Sequence, residues 1–274
     1  MTLAEKMLRL KEIISDCGGA VIGYSGGVDS TFLAFVANEV LQDKALAVTA
    51  CSATYPDHEI KAAQDLAQSL NLRHLTIWTD ELINDLFAAN PPDRCYHCKT
   101  ELFSKLTEIA QENGLATVFD GANLDDLNDF RPGAKAGKEF GVRSPLKEAG
   151  LTKEDIRTLS QEHGLPTWNK PSFACLSSRF PYGERITEDK LLMVGKAEDY
   201  LRSLGFGQLR VRLHGSIARI EVEPNELSNV VSSADRIIAK MKQLGYSYIT
   251  LDLQGFRTGS MNEVLSVQQM NLDL

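Results

Sequence analysis

Residues 20–41, AVIGYSGGVDSTFLAFVANEVL, hold three structural instructions in one line. The β-branched run 20–25 predicts a strand. A Gly-Gly turn follows, and 30–41 predicts a helix with Phe32, Leu33, Val36 and Val40 on one face. The same alternation continues to about residue 165. Runs 44–50, 72–78 and 116–123 read as strands, and 57–70, 99–114 and 152–164 as helices. Asp57 is expected to cap its helix, and Thr152 with Asp155 to form a capping box. Strands and helices in strict alternation point to an α/β fold with a parallel, doubly wound sheet.

The pattern changes after LPTWNKPSFACLSSRFPYG, a Pro- and Ser-rich junction at 165–183. Beyond it come a helix (186–205), strands at 208–214 and 217–222 around a Gly-Ser turn, a helix (224–243) and a strand (246–253). Two domains are therefore expected: a nucleotide-type domain over 1–181 and a smaller α+β domain over 182–274. No apolar run approaches the roughly 18 residues that span a bilayer, and MTLAEKMLRLKEII reads as an amphipathic helix rather than a signal peptide. A cytoplasmic enzyme without membrane partners is the expectation, with its five cysteines reduced. The net charge of −8 argues against a nucleic-acid partner, which needs many Lys and Arg on one face.

SGGVDS, at the first strand-to-helix turn, stands where α/β folds bind phosphate. Gly26 and Gly27 let the backbone approach an anion, Ser25 and Ser30 offer hydroxyls, and Asp29 lies between them. No Gly-Lys-Ser/Thr follows, so this is not a Walker loop. The bland alternative is a glycine turn before a helix. Farther on, DGANLDDLNDFRPG (120–133) carries Asp125 and Asp126 just past the fourth strand, adjacent carboxylates that suit a hard cation.

These residues resemble the PP-loop ATP pyrophosphatase family over roughly residues 1–180. The resemblance implies ATP bound at Ser25, Gly26, Gly27, Asp29 and Ser30, and adenosine near Thr49–Ser52, including Cys51. It also implies Mg2+ at Asp125 and Asp126, and transfer of AMP with release of pyrophosphate.

Cysteine chemistry is concentrated in PDRCYHCKTELF (92–103), where Cys95 and Cys98 are spaced so that both thiolates can face one centre. Cys175 lies at the junction, and Cys17 and Cys51 read as packed small residues. Three chemistries stay open. A zinc site lacks a fourth ligand of suitable spacing, a redox dithiol leaves Cys175 without a role, and a three-cysteine cluster leaves one iron open to a soft ligand.

WNKPSFACLSSRFPYG, together with YLRSLGF, VRLH and IARIEV, extends the resemblance over nearly the whole chain to the LarE proteins. These are PP-loop sulfurtransferases of nickel-pincer cofactor biosynthesis. The resemblance implies adenylation of a pyridinium biscarboxylic acid mononucleotide, then displacement of AMP by sulfur. Of the two sulfur strategies in that family, one sacrifices a single cysteine, whose position falls here at Ala174. The other uses three cysteines and a [4Fe-4S] cluster, which Cys95, Cys98 and Cys175 match. Arg210 and Arg212, at strand period two, become substrate candidates, joined by Ser178, Arg179, Glu198, Glu221 and Arg257. A sulfur donor and a homo-oligomeric state are also implied. The competing functions are a transfer-RNA thiolase with a cluster, an ammonia-using amide synthetase, and an ATP-binding protein with structural zinc.

Overall fold

The computed structural model describes residues 1–128, 131–171, 174–257 and 259–265. The chain divides into two compact units: residues 1–81 with the described part of 95–173, and residues 82–94 with the described part of 174–272.

In the first unit, α1 (Leu3–Ser15) leads into β1 (Ala20–Gly23), α2 (Val28–Leu41), β2 (Ala45–Cys51), α3 (Asp57–Ser69) and β3 (His74–Trp78). After the excursion that carries α4 (Asp85–Ala88) come α5 (Arg94–Glu112), β4 (Thr117–Phe119), α6 (Gly133–Glu139), α7 (Pro145–Glu148) and α8 (Lys153–Glu162). The four strands are parallel, in the order β3-β2-β1-β4. Their side chains alternate between two cores, as the pleat requires. Ala20, Ile22, Ala45 and Ala47 pack with Leu10, Phe32, Leu33, Val36, Ala63 and Ile156 on one face. Val21, Leu46, Val48 and Val118 pack with Phe103, Leu106 and Ala136 on the other. Helices thus cover both faces, as a doubly wound sheet demands.

Several boundaries differ from expectation. Helix α5 begins at Arg94 rather than 99, so Cys95 and Cys98 sit in its first turn. The prolines of NPPD lie ahead of that turn, where a missing N–H costs no helical bond. Asp57 does not cap α3: Pro56 is the N-cap and Asp57 the first helical residue, where its charge still complements the dipole. Strand β4 is three residues long because the next N–H, of Asp120, donates to Arg143 O outside the ladder. The Thr152–Asp155 capping box is present as expected.

The second unit contains α9 (Glu188–Ser203), β5 (Leu209–His214), β6 (Ile217–Val222), α10 (Leu227–Ser232), α11 (Ala234–Gln243) and β7 (Tyr248–Leu251). The helix expected at 224–243 is broken in two at Ser233, after a Val-Val-Ser-Ser run of poor helix formers. Strands β5 and β6 are antiparallel, closed by a turn with Gly215 at φ +58°, and β7 joins β6 in parallel. Helix α9 packs on β5. Among the described residues, no helix is long and apolar enough to cross a membrane.

A buried ion pair ties this unit together. Arg179 and Glu198 are both fully buried, and the guanidinium grips both carboxylate oxygens, Nε to Oε1 at 2.8 Å and Nη2 to Oε2 at 3.0 Å. Burial alone would raise the Glu198 carboxyl, but Arg179, with Arg210 and the Val211 N–H, holds it below the usual range. A depressed carboxyl contributes stability that is present above its unfolded pKa and is lost as pH falls through the folded value. Glu198→Gln, which strands the buried guanidinium, should cost about 3–5 kcal/mol at neutral pH, read as a lowered midpoint in thermal unfolding. The deficit relative to wild type should shrink in acid.

Candidate active site

Strands β2 and β3 lie on one side of β1 and β4 on the other, so the order reverses between β1 and β4. Ligands of open α/β sheets bind beyond the carboxyl ends of the strands at such a point. SGGVDS follows β1 there, and the acidic loop follows β4.

The first loop is shaped by Gly26, whose φ is +67°. A Cβ at this position would lie 2.8 Å from Ala63 Cβ in α3. Gly27 is the N-cap of α2 and supplies no side-chain cap, so the first-turn N–H groups keep their capacity to meet an anion. The two serines close the loop on itself. Ser25 N–H donates to Ser30 Oγ at 3.2 Å, and the hydroxyls are 3.0 Å apart.

The second loop reaches the same helix end. A Cβ on Gly121 would stand 3.3 Å from Ser30 N. Asn123 Nδ2 donates to Asp29 Oδ1 at 3.3 Å, and Asn123 N–H donates to Asp126 Oδ2 at 3.0 Å. Lys153, the first residue of α8, binds both motifs. Its N–H donates to Asp125 Oδ2 at 2.8 Å, and its ammonium donates to Asp29 Oδ2 at 2.5 Å. Asp126 pairs with Arg131 at 2.7 Å. Burial nonetheless raises its carboxyl above the ordinary range, with Asp29 pushing the same way. The site carries surplus negative charge of the kind a divalent cation relieves. Lys170 adds a second ammonium, donating to Gly26 O at 3.3 Å and Glu59 at 2.9 Å. Asp129 and Phe130 of the acidic motif lie outside the described residues.

At the end of β2, Cys51 is buried, and burial followed by Asp57 pushes its thiol up. Ser52 Oγ and Thr54 Oγ1 are 2.7 Å apart, both buried. Among the described residues, none of the five cysteines is in a disulfide. Cys95 is exposed and Cys98 half-buried, one turn apart on α5. Cys98 Sγ lies 3.9 Å from Glu81 Oε1, which also accepts the Thr79 hydroxyl at 2.9 Å. Glu81 is 4% exposed, and its Oε2 is buried with no hydrogen-bond partner. Among the described residues, no three His, Cys, Asp or Glu side chains are grouped to hold a metal ion.

Cys175 belongs to the second unit, where its carbonyl is clamped. Ser178 N–H (3.0 Å), Ser178 Oγ (2.9 Å) and Arg179 Nη1 (3.1 Å) all donate to it. Arg179 also donates to Ala174 O at 2.8 Å. Ser172 and Phe173, just before it, lie outside the described residues. Arg212 Nε and Nη2 both donate to Glu221 Oε2, and Nη1 donates to Ser178 O at 2.8 Å. Arg210 lies over the Phe256 ring, and burial, then Arg179, lowers its guanidinium to about 10. Arg257 pairs with Glu263 and Asp252. Half-buried Ser178 and buried Arg179, Glu198, Arg212 and Glu221 therefore form one hydrogen-bonded set that holds the backbone around Cys175.

The family model described as NAD synthase matches residues 3–113, from α1 through α5. An uncharacterized protein of Synechocystis is 45% identical over 96% of this chain and 99% of its own. The pyridinium-3,5-bisthiocarboxylic acid mononucleotide synthase of Lactiplantibacillus plantarum is 43% identical, over 98% of each chain. The chain belongs to the LarE family. Both units are spanned by that similarity, the second as fully as the first. An uncharacterized protein of Methanocaldococcus jannaschii is 30% identical over 94% of this chain and 100% of its own. As a LarE protein the chain is an ATP-dependent sulfurtransferase of the PP-loop class.

The loop geometry makes the first test. Gly26→Ala meets both a positive φ and the backbone of α3, and is expected to cut ATP-dependent pyrophosphate release at least about tenfold by displacing the loop. Gly27→Ala, with φ −82° and only Ser25 Oγ at 3.4 Å, should lose less. Equal losses in the two would contradict the assignment of the close approach to Gly26.

Proposed function

We propose that this protein thiolates a carboxylate of pyridinium-3,5-biscarboxylic acid mononucleotide. The observation that carries the reading is the similarity over 98% of both chains to a synthase named for the bisthiocarboxylic product. A carboxylate resists nucleophiles, and AMP converts it into an ester with a good leaving group. In the first half-reaction a carboxylate oxygen attacks the α-phosphorus of ATP, and pyrophosphate leaves with the electron pair of the broken P–O bond. In the second, a sulfur nucleophile adds to the acyl carbon and AMP is expelled, leaving a thiocarboxylate.

Ser25, Gly26, Gly27 and Ser30, with the first-turn N–H groups of α2, receive the pyrophosphate end of the nucleotide. Asp125 and Asp126, with Asp29 beside them, fit Mg2+, as the buried surplus of carboxylate at Asp126 suggests. The cation offsets charge on the phosphate oxygens. Lys153, paired with Asp29, is a cation within reach of the same loop. Arg210 and Arg257 supply guanidinium groups to the anionic substrate, and Ser178, Arg179, Glu198, Arg212 and Glu221 fix that surface.

Cys95, Cys98 and Cys175 are proposed to hold a [4Fe-4S] cluster. The donor set fits: three soft ligands, two of them one turn apart at a helix N-terminus, where the dipole favours thiolate charge. Glu81, whose Oε1 lies 3.9 Å from Cys98 Sγ and whose buried Oε2 has no hydrogen-bond partner, is a further feature that a metal-bearing group nearby would explain. When bound, the cluster supplies an iron position without a protein ligand, suited to sulfide. A homo-oligomer is expected.

Two measurements test this reading. Pyrophosphate release should depend on the pyridinium dicarboxylate mononucleotide and be indifferent to transfer RNA; the reverse dependence would assign the RNA-thiolating alternative. Protein purified anaerobically should contain about four irons and matching acid-labile sulfide per chain, both lost in Cys95→Ser. Zinc without iron would refute the cluster.

A further inference from the structure

The carbonyl of Tyr24 closes the peptide that opens the nucleotide loop, and that peptide is held from both ends. Its N–H, on Ser25, donates to Ser30 Oγ at 3.2 Å. Its oxygen accepts the hydroxyl of Thr49, near the end of β2, at 2.9 Å. Thr49 is 4% exposed, and its Oγ1 also lies 2.8 Å from Nε2 of His74 on β3. A threonine hydroxyl carries one proton. Tyr24 O can only accept, so that proton points at Tyr24, and the His74 contact must use the hydroxyl's lone pair. His74 therefore donates from Nε2. The chain of donors runs Nε2–H of His74 to Oγ1–H of Thr49 to Tyr24 O, crossing three strands of the sheet and ending one residue before Ser25. The Tyr24 ring meets the His74 ring edge-on, with centroids 5.7 Å apart.

We propose that His74 is a positioning residue for the ATP loop: it orients the Thr49 hydroxyl, which fixes the peptide from which the loop departs. The inference rests on the reading of residues 25–30 as the nucleotide loop. It also assigns Thr49 a task different from touching adenosine, because its only proton is committed to the loop backbone. Burial pushes the His74 imidazole down, so the neutral ring's single proton is the one on Nε2, and Nδ1 is left as an acceptor.

Such a chain predicts coupling rather than independent effects. Removing the first link matters only through the second, so the two losses should not add. With Mg·ATP as the probe and the full chain in solution, calorimetry should find Kd raised about tenfold in Thr49→Val, the scale of one lost buried hydrogen bond. His74→Phe should raise it by a similar factor, and the double variant no further than Thr49→Val alone. Thr49→Ser keeps the hydroxyl, and His74→Gln keeps an N–H near the Nε2 position; both should stay within about threefold of wild type. Nitrogen NMR of the histidines should find the His74 proton on Nε2 in the wild-type protein, a readout that needs no folded variant.

A proton on Nδ1 would overturn the inference. So would an unchanged Kd in Thr49→Val, or losses in the double variant that multiply. Wild-type protein that fails to bind Mg·ATP would sink the loop reading and this inference with it. Wild-type binding with an unaffected Thr49→Val would sink the inference alone.

Discussion

The strand order β3-β2-β1-β4 is the constraint on which the nucleotide site depends. Because all four strands are parallel, their carboxyl ends point the same way, and because the order reverses between β1 and β4, the loops after these two strands meet at the switch point where open α/β sheets bind ligands. Gly26 and Gly27 stand on one of these loops and Asn123 and Asp126 on the other, and Lys153 at the start of α8 bonds to Asp29 between them. The alternating apolar residues that build the two cores also aim these loops.

Electrostatics at the site is arranged before any ligand arrives. The Lys153 ammonium neutralises Asp29, Arg131 partly neutralises Asp126, and Lys170 reaches the Gly26 carbonyl. The second unit uses the same device differently. Its buried Arg–Glu pairs are satisfied internally, and their hydrogen bonds end on the backbone of Ala174, Cys175 and Ser178. An arrangement with two arginines and two carboxylates in the interior would be costly if any member were unpaired. Here the pairing converts that cost into a rigid mount for one cysteine.

Much of the fold was legible because it rests on local period. The run 20–41 switches from strand to glycine turn to helix within one line of sequence, and the Thr152 capping box announced α8. What was not legible depends on residues distant in the chain. Lys153 meets Asp29 across 124 positions, Lys170 meets Gly26 across 144, and His74 reaches the loop through Thr49 on another strand. None stands in a motif of its own. The only hint for Lys153 was its place just after a capping threonine. Glu81 gave no sign either, since its interest lies in an oxygen without a partner. The start of α5 is hidden in the sequence because prolines read as a loop even where they precede a first helical turn. The buried charge of Arg179 could not be anticipated, since a strand and a helix far apart in sequence supply its surroundings.

The proposed cluster would let sulfur pass through this protein rather than out of its own side chains. The most direct measurement is the number of thiocarboxylates formed per chain by anaerobically reconstituted protein given ATP, Mg2+, the pyridinium dicarboxylate mononucleotide and excess sulfide, with the intact mass of the chain recorded afterwards. Transfer through the cluster predicts several products per chain and an unchanged polypeptide mass. Product that stops at one per chain, with a cysteine converted to dehydroalanine, would contradict it.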